Sequence, residues 1–272
     1  MYEFSVLMSV YRGDSAEHFL EAAESILNQT LPPLEVVIVQ DGPVPSLLEG
    51  AISDLSNRFE KVKVIKLTEN VGLAKALNVG LEHCKFEMVA RMDADDISLE
   101  NRFESMIPKF LGRRDLSLMG GQHIVFDSNM SISEGVRRVP TEFEDIVKFS
   151  RLRTPINHPT IVFRKADVLE VGGYPENVGR FEDWGLCLAL FAKGKKIVNS
   201  NDVVLHVRGG GDMMARRSGF KYMLEEVRAL NQMRRNGFIS LFWFSFNVVV
   251  RSPLRFLSSD MIKVFYNRVL RA

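Results

Sequence analysis

Residues 86–96, FEMVARMDADD, decide how the rest of the chain is read. Phe86–Met92 has the length and composition of a β-strand, and it runs straight into Asp93-Ala94-Asp95-Asp96, three carboxylates in four residues. Three similar runs precede it: Phe4–Tyr11 (FSVLMSVY), Leu34–Gln40 (LEVVIVQ) and Val62–Leu67. Between them lie helical stretches: Ala16–Asn28, with apolar residues at Phe19, Ala22, Ala23, Ile26 and Leu27, then Leu47–Phe59 and Gly72–Cys84. Strand and helix alternating over short connections predict βαβ units and a mostly parallel sheet. The strands are nearly continuous apolar runs, as expected when helices cover both faces. Ligands of such sheets bind beyond the carboxyl ends of the strands. Attention therefore falls on Tyr11-Arg12-Gly13-Asp14, Asp41-Gly42, Asn70 and Asp93–Asp96.

After Met92 the alternation is lost. Strands are predicted at Leu116–Phe126, Pro159–Phe163, Ile197–Asn199 and Val203–Val207. Helices are predicted from about Leu99, at Asp145–Arg151, Arg164–Glu170 and Glu182–Lys193, and over Asp212–Met233. Gly209-Gly210-Gly211 is the clearest joint. It divides the chain into an α/β domain over 1–208 and a helical extension over 209–272.

Composition narrows the classes. The chain has 272 residues, 46% of them hydrophobic, with 35 basic and 34 acidic residues for a net charge of +1. A disordered chain would be poorer in apolar residues, and a nucleic-acid binder would normally be strongly basic. Two cysteines, Cys84 and Cys187, cannot build a disulfide framework or a paired-cysteine metal site. The opening Met-Tyr-Glu-Phe-Ser-Val has neither the basic stretch nor the apolar run of an export signal.

The charge is unevenly spread. Leu205–Ala272 holds 12 basic and four acidic residues, net +8, which leaves −7 on residues 1–204. The same tail carries FISLFWFSFNVVV, residues 238–250, ten of them apolar, between Arg234-Arg235 and Arg251. A membrane-spanning helix needs about 20 apolar residues, so this run is too short to cross. It reads either as a helix packed on the main domain or as one lying on an anionic leaflet. The two can share one helix, with one face for each.

Four clusters carry chemistry. Asp93, Asp95 and Asp96 repel one another unless something cationic neutralises them. A hard divalent ion, Mg²⁺ or Mn²⁺ bridging a diphosphate, meets that need, and an acidic helix cap is the plainer alternative. Asp41-Gly42 ends the second strand, where a carboxylate can accept from a nucleoside and a glycine lets the backbone approach. In Asn70-Val71-Gly72-Leu73-Ala74-Lys75, Gly72 opens a helix whose N-terminus can face a phosphate, with Lys75 in the first turn. Ala76 and Gly80 add a small-residue stripe for close packing on the sheet. Neither GxxxxGK[ST] nor GxGxxG is present. The fourth cluster, Phe181-Glu182-Asp183-Trp184, puts two acids at a helix start, as a general base or as complements to the helix dipole. Trp184 offers its ring to a sugar or to the core. His158 and His206 are weaker candidates, His206 as a metal or phosphate ligand.

Taken together, VLMSVYRGD, Asp41-Gly42, ENVGLAKALNVGL, ARMDADD, NHPTIVFRKADVLEVGGY and FEDWGLCLAL resemble glycosyltransferase family 2, from Phe4 to Arg208. The basic, aromatic tail is similar to the subgroup that makes bacterial capsule, exopolysaccharide or O-antigen, as in amylovoran-type transferases. The resemblance implies a GT-A fold, a Rossmann-like sheet flanked by helices. It implies a UDP-sugar donor bound by Tyr11, Asp41, Asn70, Gly72, Lys75, Asp93 and Ala94. Mn²⁺ or Mg²⁺ would sit on Asp95 and Asp93, with Asp96 in support and His206 as a further candidate. Asp183 would be the base, with Glu182 beside it. Where the family often reads Glu-Asp-Tyr-Asp-Leu-Trp, this chain has Glu182-Asp183-Trp184-Gly185-Leu186. Trp184, His158, Arg208, Arg216 and Arg217 would face the acceptor or its phosphates. The acceptor implied is a saccharide on polyprenyl diphosphate, handled at the cytoplasmic leaflet of the inner membrane by an inverting, peripheral enzyme. A Mg²⁺-dependent nucleotidyltransferase and a non-catalytic relic of the fold are the rivals. The first would carry a richer glycine and basic loop after strand one than Tyr11-Arg12-Gly13-Asp14.

Overall fold

The computed structural model describes residues 2–209 and 218–256. A nine-stranded sheet forms its centre, in the order β3-β2-β1-β4-β8-β6-β9-β5, with β7 paired to β6. The first half is the predicted one. β1 (Ser5–Tyr11), β2 (Glu35–Asp41), β3 (Val62–Lys66) and β4 (Met88–Met92) are parallel. Helices α1 (Ala16–Leu27), α2 (Ser46–Arg58) and α3 (Leu73–His83) make the crossovers. β1 and β2 pair in full register from Ser5↔Glu35 to Tyr11↔Asp41, so Tyr11 and Asp41 reach the same edge side by side.

The small-residue stripe of α3 does what its spacing predicts. A Cβ on Gly80 would lie 2.4 Å from Leu7 Cδ1 and 2.6 Å from Val39 Cγ2, so the helix lies close on β1 and β2. Gly42 is needed for a different reason. Its φ is +81°, and a Cβ there would lie 2.5 Å from the backbone nitrogen of Asn70.

The second half corrects the sequence reading: the sheet is mixed, not mostly parallel. β8 (Val162–Arg164) runs antiparallel to both β4 and β6 (Leu116–Phe126), and β7 (Ser133–Arg137) folds back on β6. The predicted strand at Pro159–Phe163 begins as a 3-10 turn, His158–Thr160. There Thr160 Oγ1 donates to the Asn157 carbonyl at 2.6 Å, a local bond that competes with extended backbone. The two short strands predicted after Ile197 are one, β9 (Lys196–Arg208), parallel to β6 and antiparallel to β5 (Ile97–Ser98). This strand delivers Arg208 beside the acidic loop after β4. Helices α4 (Arg102–Leu111), α5 (Phe143–Ser150), α6 (Lys165–Glu170) and α7 (Glu182–Ala192) complete the α/β body. Both cysteines are buried and free.

The described part of the extension is two helices, α8 (Gly219–Arg235) and α9 (Leu241–Arg251). Residues 210–217, where the long helix was predicted to begin, lie outside the described residues. Ala229, Leu230, Met233 and Ile239 pack on Val178, Phe181, Trp184 and Leu188, so the extension covers α7. A Leu, Met or Ile side chain so taken from water contributes about 1.5–3 kcal/mol. On α9, Asn247 faces inward and donates to the Arg151 carbonyl at 2.9 Å. The other face stays in solvent: Phe242 is 66% exposed and Val249 72%, with Leu241, Phe246 and Val250 also exposed. The packed reading of this run is therefore realised on one face, and the other face is open.

Arg251 does not flank that face as a free charge. It pairs with the buried Glu226, and Arg255 donates to the same carboxylate through Nε at 2.8 Å and Nη2 at 2.7 Å. The two guanidinium groups hold Glu226 below its ordinary value in spite of its burial. Among the described residues no helix is long and apolar enough to cross a membrane.

Candidate active site

The carboxyl ends of β1, β2 and β4 bring the predicted residues to one edge. Asp41, 3% exposed, accepts from Val71 N at 2.7 Å, Gly72 N at 3.0 Å and Asn70 Nδ2 at 3.0 Å. The carboxylate thereby moulds the loop that opens α3. Gly72 caps the helix with φ +88°, and Lys75 stands exposed in the first turn. Tyr11 is exposed at the mouth, and its N–H donates to Asp14 at 2.8 Å. The Asp14 carboxyl is pushed up to about 7, chiefly by burial, with Asp95 and Asp93 adding to it. Asp14 therefore shares the electrostatic environment of the acidic loop, a closeness its position in the sequence does not announce.

Asp93, Asp95 and Asp96 present carboxylate oxygens within 4.8 Å of one another. Asp95 is exposed, Asp93 half-buried and Asp96 buried. Ala94, between them, is buried in the core. Burial, then Asp93 and Asp95, push the Asp96 carboxyl well above the carboxylate range. All the donors are hard oxygens, so the cluster fits Mg²⁺ or Mn²⁺ by ligand chemistry. His206 is not part of that cluster. It lies on β9 with its ring 4.7 Å from that of Phe126.

Arg208 ties the loop down. Its N–H donates to Asp96 Oδ1 at 3.0 Å, its Nε to the Asp95 carbonyl at 3.1 Å and its Nη1 to the Ser128 carbonyl at 3.1 Å; Nη2 pairs with Glu21. With those contacts made, the guanidinium braces the acidic loop rather than standing open to an acceptor's phosphates. Arg216 and Arg217 lie outside the described residues.

The two acids that open α7 differ in setting. Glu182 is 7% exposed, and burial, then Asp183, push its carboxyl up to about 8. Burial thus favours its protonated form. Asp183 is half-buried and accepts from Trp184 N at 2.6 Å. Asp93 and Arg91 are both near enough for their charges to act on Glu182.

Trp184 and His158 do not face a substrate. Trp184 is fully buried under α8 and α9, and its indole N–H donates to the Ser150 carbonyl at 2.6 Å. Its ring serves the core, because the extension covers the face it would need for a sugar. His158 is buried against the Tyr174 hydroxyl, Nε2 to Oη 3.1 Å. Burial, then Arg91, keep the ring neutral, so it carries no charge for a phosphate. Arg91 itself drew no attention in the sequence, where an arginine inside an apolar strand gives no sign of what it meets.

The sequence from 5 to 171 matches the model described as Glycosyl transferase family 2. The chain is 35% identical to an Escherichia coli UDP-Gal:alpha-D-GlcNAc-diphosphoundecaprenol beta-1,3-galactosyltransferase, over 99% of this chain and 97% of that protein. It is also 35% identical to the amylovoran biosynthesis glycosyltransferase of Erwinia amylovora, over 98% and 96%. In fold it is similar to a Pyrobaculum calidifontis mannosyltransferase solved with GDP-Man and Mn²⁺, with a TM-score of 0.65 and 17% identity over 98% and 76% of the two chains. S. aureus TarS 1-349 with UDP-GlcNAc gives 0.62 and 18%, over 85% and 66%.

Proposed function

This chain belongs to glycosyltransferase family 2, and on that premise we propose that it moves a hexose or N-acetylhexosamine from a UDP-sugar to a saccharide on a polyprenyl diphosphate. The product is a step in bacterial surface polysaccharide, whether O-antigen, capsule or exopolysaccharide. The observation that carries the reading is the cluster of Asp93, Asp95 and Asp96 beyond β4, with Tyr11 and Asp41 at the same edge of the sheet and the buried Glu182 within reach of the charge of Asp93. The names of the two relatives support the donor and acceptor classes.

In this reading Tyr11, the Asp41-ordered loop at Asn70 and Gly72, Lys75 and the Asp93–Ala94 backbone receive the nucleotide-sugar. Asp95 and Asp93, supported by Asp96, would hold Mn²⁺ or Mg²⁺, whose charge stabilises the leaving UDP when bound. Asp183 is the base, because Glu182 is buried and holds its proton. Asp183 takes the proton of the acceptor hydroxyl as that oxygen attacks the anomeric carbon. The bond to the UDP oxygen breaks in the same displacement, so the anomeric centre inverts. No covalent intermediate, and so no second nucleophile, is required. Glu182 orients Asp183 or the acceptor.

The open face of α9 belongs on the cytoplasmic leaflet of the inner membrane, where such acceptors are carried. Residues 1–208 form the transferase domain and 209–272 the extension that brings it to lipid.

UDP release tests the proposal. UDP-galactose and other UDP-sugars are offered with Mn²⁺ and a GlcNAc- or GalNAc-diphosphate-lipid acceptor. Release with one donor, abolished by chelation and lost in Asp183→Asn, is the expected result. Release that persists at the wild-type rate in Asp183→Asn removes Asp183 from the mechanism.

A further inference from the structure

Arg91 stands on β4 two residues before Asp93, and its side chain points into the protein, 2% exposed. Its Nη2 closes on Asp93. Its Nε and Nη1 are buried and have no hydrogen-bond partner. A buried guanidinium with bonds unmade is costly, and an apolar residue at this point of a strand would serve folding better. Two more arginines serve the same loop. Arg102, fully buried, donates from Nη2 to the carbonyls of Arg91 at 2.7 Å and Pro159 at 3.0 Å. Arg208 holds Asp95 and Asp96 from the outer side. Arg91 pairs its guanidinium with the Asp93 carboxylate, while Arg208 reaches Asp96 with its backbone N–H and the Asp95 carbonyl with Nε, which sets its charge beside Asp95.

We propose that Arg91 is a positioning residue that aims Asp93 from inside the core and, with Arg208, keeps the acidic triad from retaining a divalent cation on its own. Cation affinity follows the net charge of the ligands, and here the arginines offset it. The missing negative charge is supplied by the diphosphate of the nucleotide, so the cation is held well only when both are present. The part played by the nucleotide rests on the function proposed above; the effect of Arg91 on the bare cation does not.

Mn²⁺ binding to the full chain, followed by electron paramagnetic resonance with and without UDP, tests this. Without nucleotide, Arg91→Gln is expected to bind Mn²⁺ about tenfold more tightly than wild type, since a nearby positive charge is gone. Arg91→Lys, which keeps the charge, is expected to stay within about twofold. UDP should tighten Mn²⁺ strongly in the wild type and less in Arg91→Gln, where the triad already carries the negative charge that the diphosphate would supply. A merely structural role would instead weaken Mn²⁺ and UDP binding together. Arg208→Gln is the second variant, expected to shift bare Mn²⁺ binding in the same direction if Arg91→Gln does not fold. A folded variant of either arginine that binds bare Mn²⁺ no better than wild type overturns the proposal. A wild type that binds Mn²⁺ but not UDP would defeat the function proposed above, while the comparison without nucleotide still decides the role of Arg91.

Discussion

Glu182 and Asp183 are neighbours in sequence with different surroundings, Glu182 buried and Asp183 half-buried, and in the function proposed above that difference separates their work. Asp183→Asn is expected to lower kcat on the order of a hundredfold to ten-thousandfold, the range for loss of a general base. Glu182→Gln keeps a hydrogen-bonding group where a protonated acid sits, so its rate should fall far less. Steady-state kinetics on the two variants separates the roles, and equal losses would count against Asp183 as sole base. Glu182 also marks the stability of the fold. Its carboxyl is raised from 4.5 to about 8, first by burial and then by Asp183. Across that window the folded chain keeps a proton that the unfolded chain has lost, so stability falls as pH rises towards about 8 and levels off above it. Thermal melts at about pH 5 and about pH 8 should show a smaller difference in Glu182→Gln than in the wild type.

Elements place these residues, and two contacts show how tightly. Helix α3 can present Gly72 and Lys75 at the cleft only because Gly80 lets it lie on Leu7 and Val39. Gly80→Val should destabilise the fold by about 1–3 kcal/mol, as overpacking does, read by chemical denaturation. At the other end of the chain, α8, α9 and the turn after them are clamped by Glu226 between Arg251 and Arg255. Glu226→Ala leaves two arginines without their partner and should cost about 3–5 kcal/mol. The same measurement checks it, and a change within error would mean that apolar packing on α7 suffices.

At the scale of the molecule, the extension has two unlike sides. Its inner side completes the core around Trp184, and its outer side exposes Leu241, Phe242, Phe246, Val249 and Val250. Phe242→Ser combined with Phe246→Ser and Val249→Ser should reduce co-flotation with anionic vesicles and leave thermal stability near that of the wild type. The substituted side chains already face solvent, which is why stability should hold. Deleting 238–272 would test less cleanly, because it also removes Arg251, Arg255 and the cover over α7. Unchanged flotation in the triple variant would turn attention from this face to the charge of the extension.

Apolar runs alternating with helical stretches determined the first four strands, their parallel direction and the edge to which Tyr11, Asp41 and Asp93 come. Local pattern suffices there because each βαβ unit buries its own faces. The acidic loop was legible too, as three carboxylates at a strand end need a cation or a set of donors. The second half of the sheet was not legible. Whether β8 runs up or down depends on the end from which the chain enters it, and the three residues Val162–Arg164 carry no local mark of that. Burial was hidden as well. Trp184, His158 and Arg208 have the side chains of ligand-binding residues, and only the packing of α8, α9, Tyr174 and β9 around them turns them to structural work. Arg91 is the reverse case. An arginine inside an apolar strand gives no local sign of its partner, because the carboxylate it meets and the acids of α7 come together only when strands distant in sequence pair.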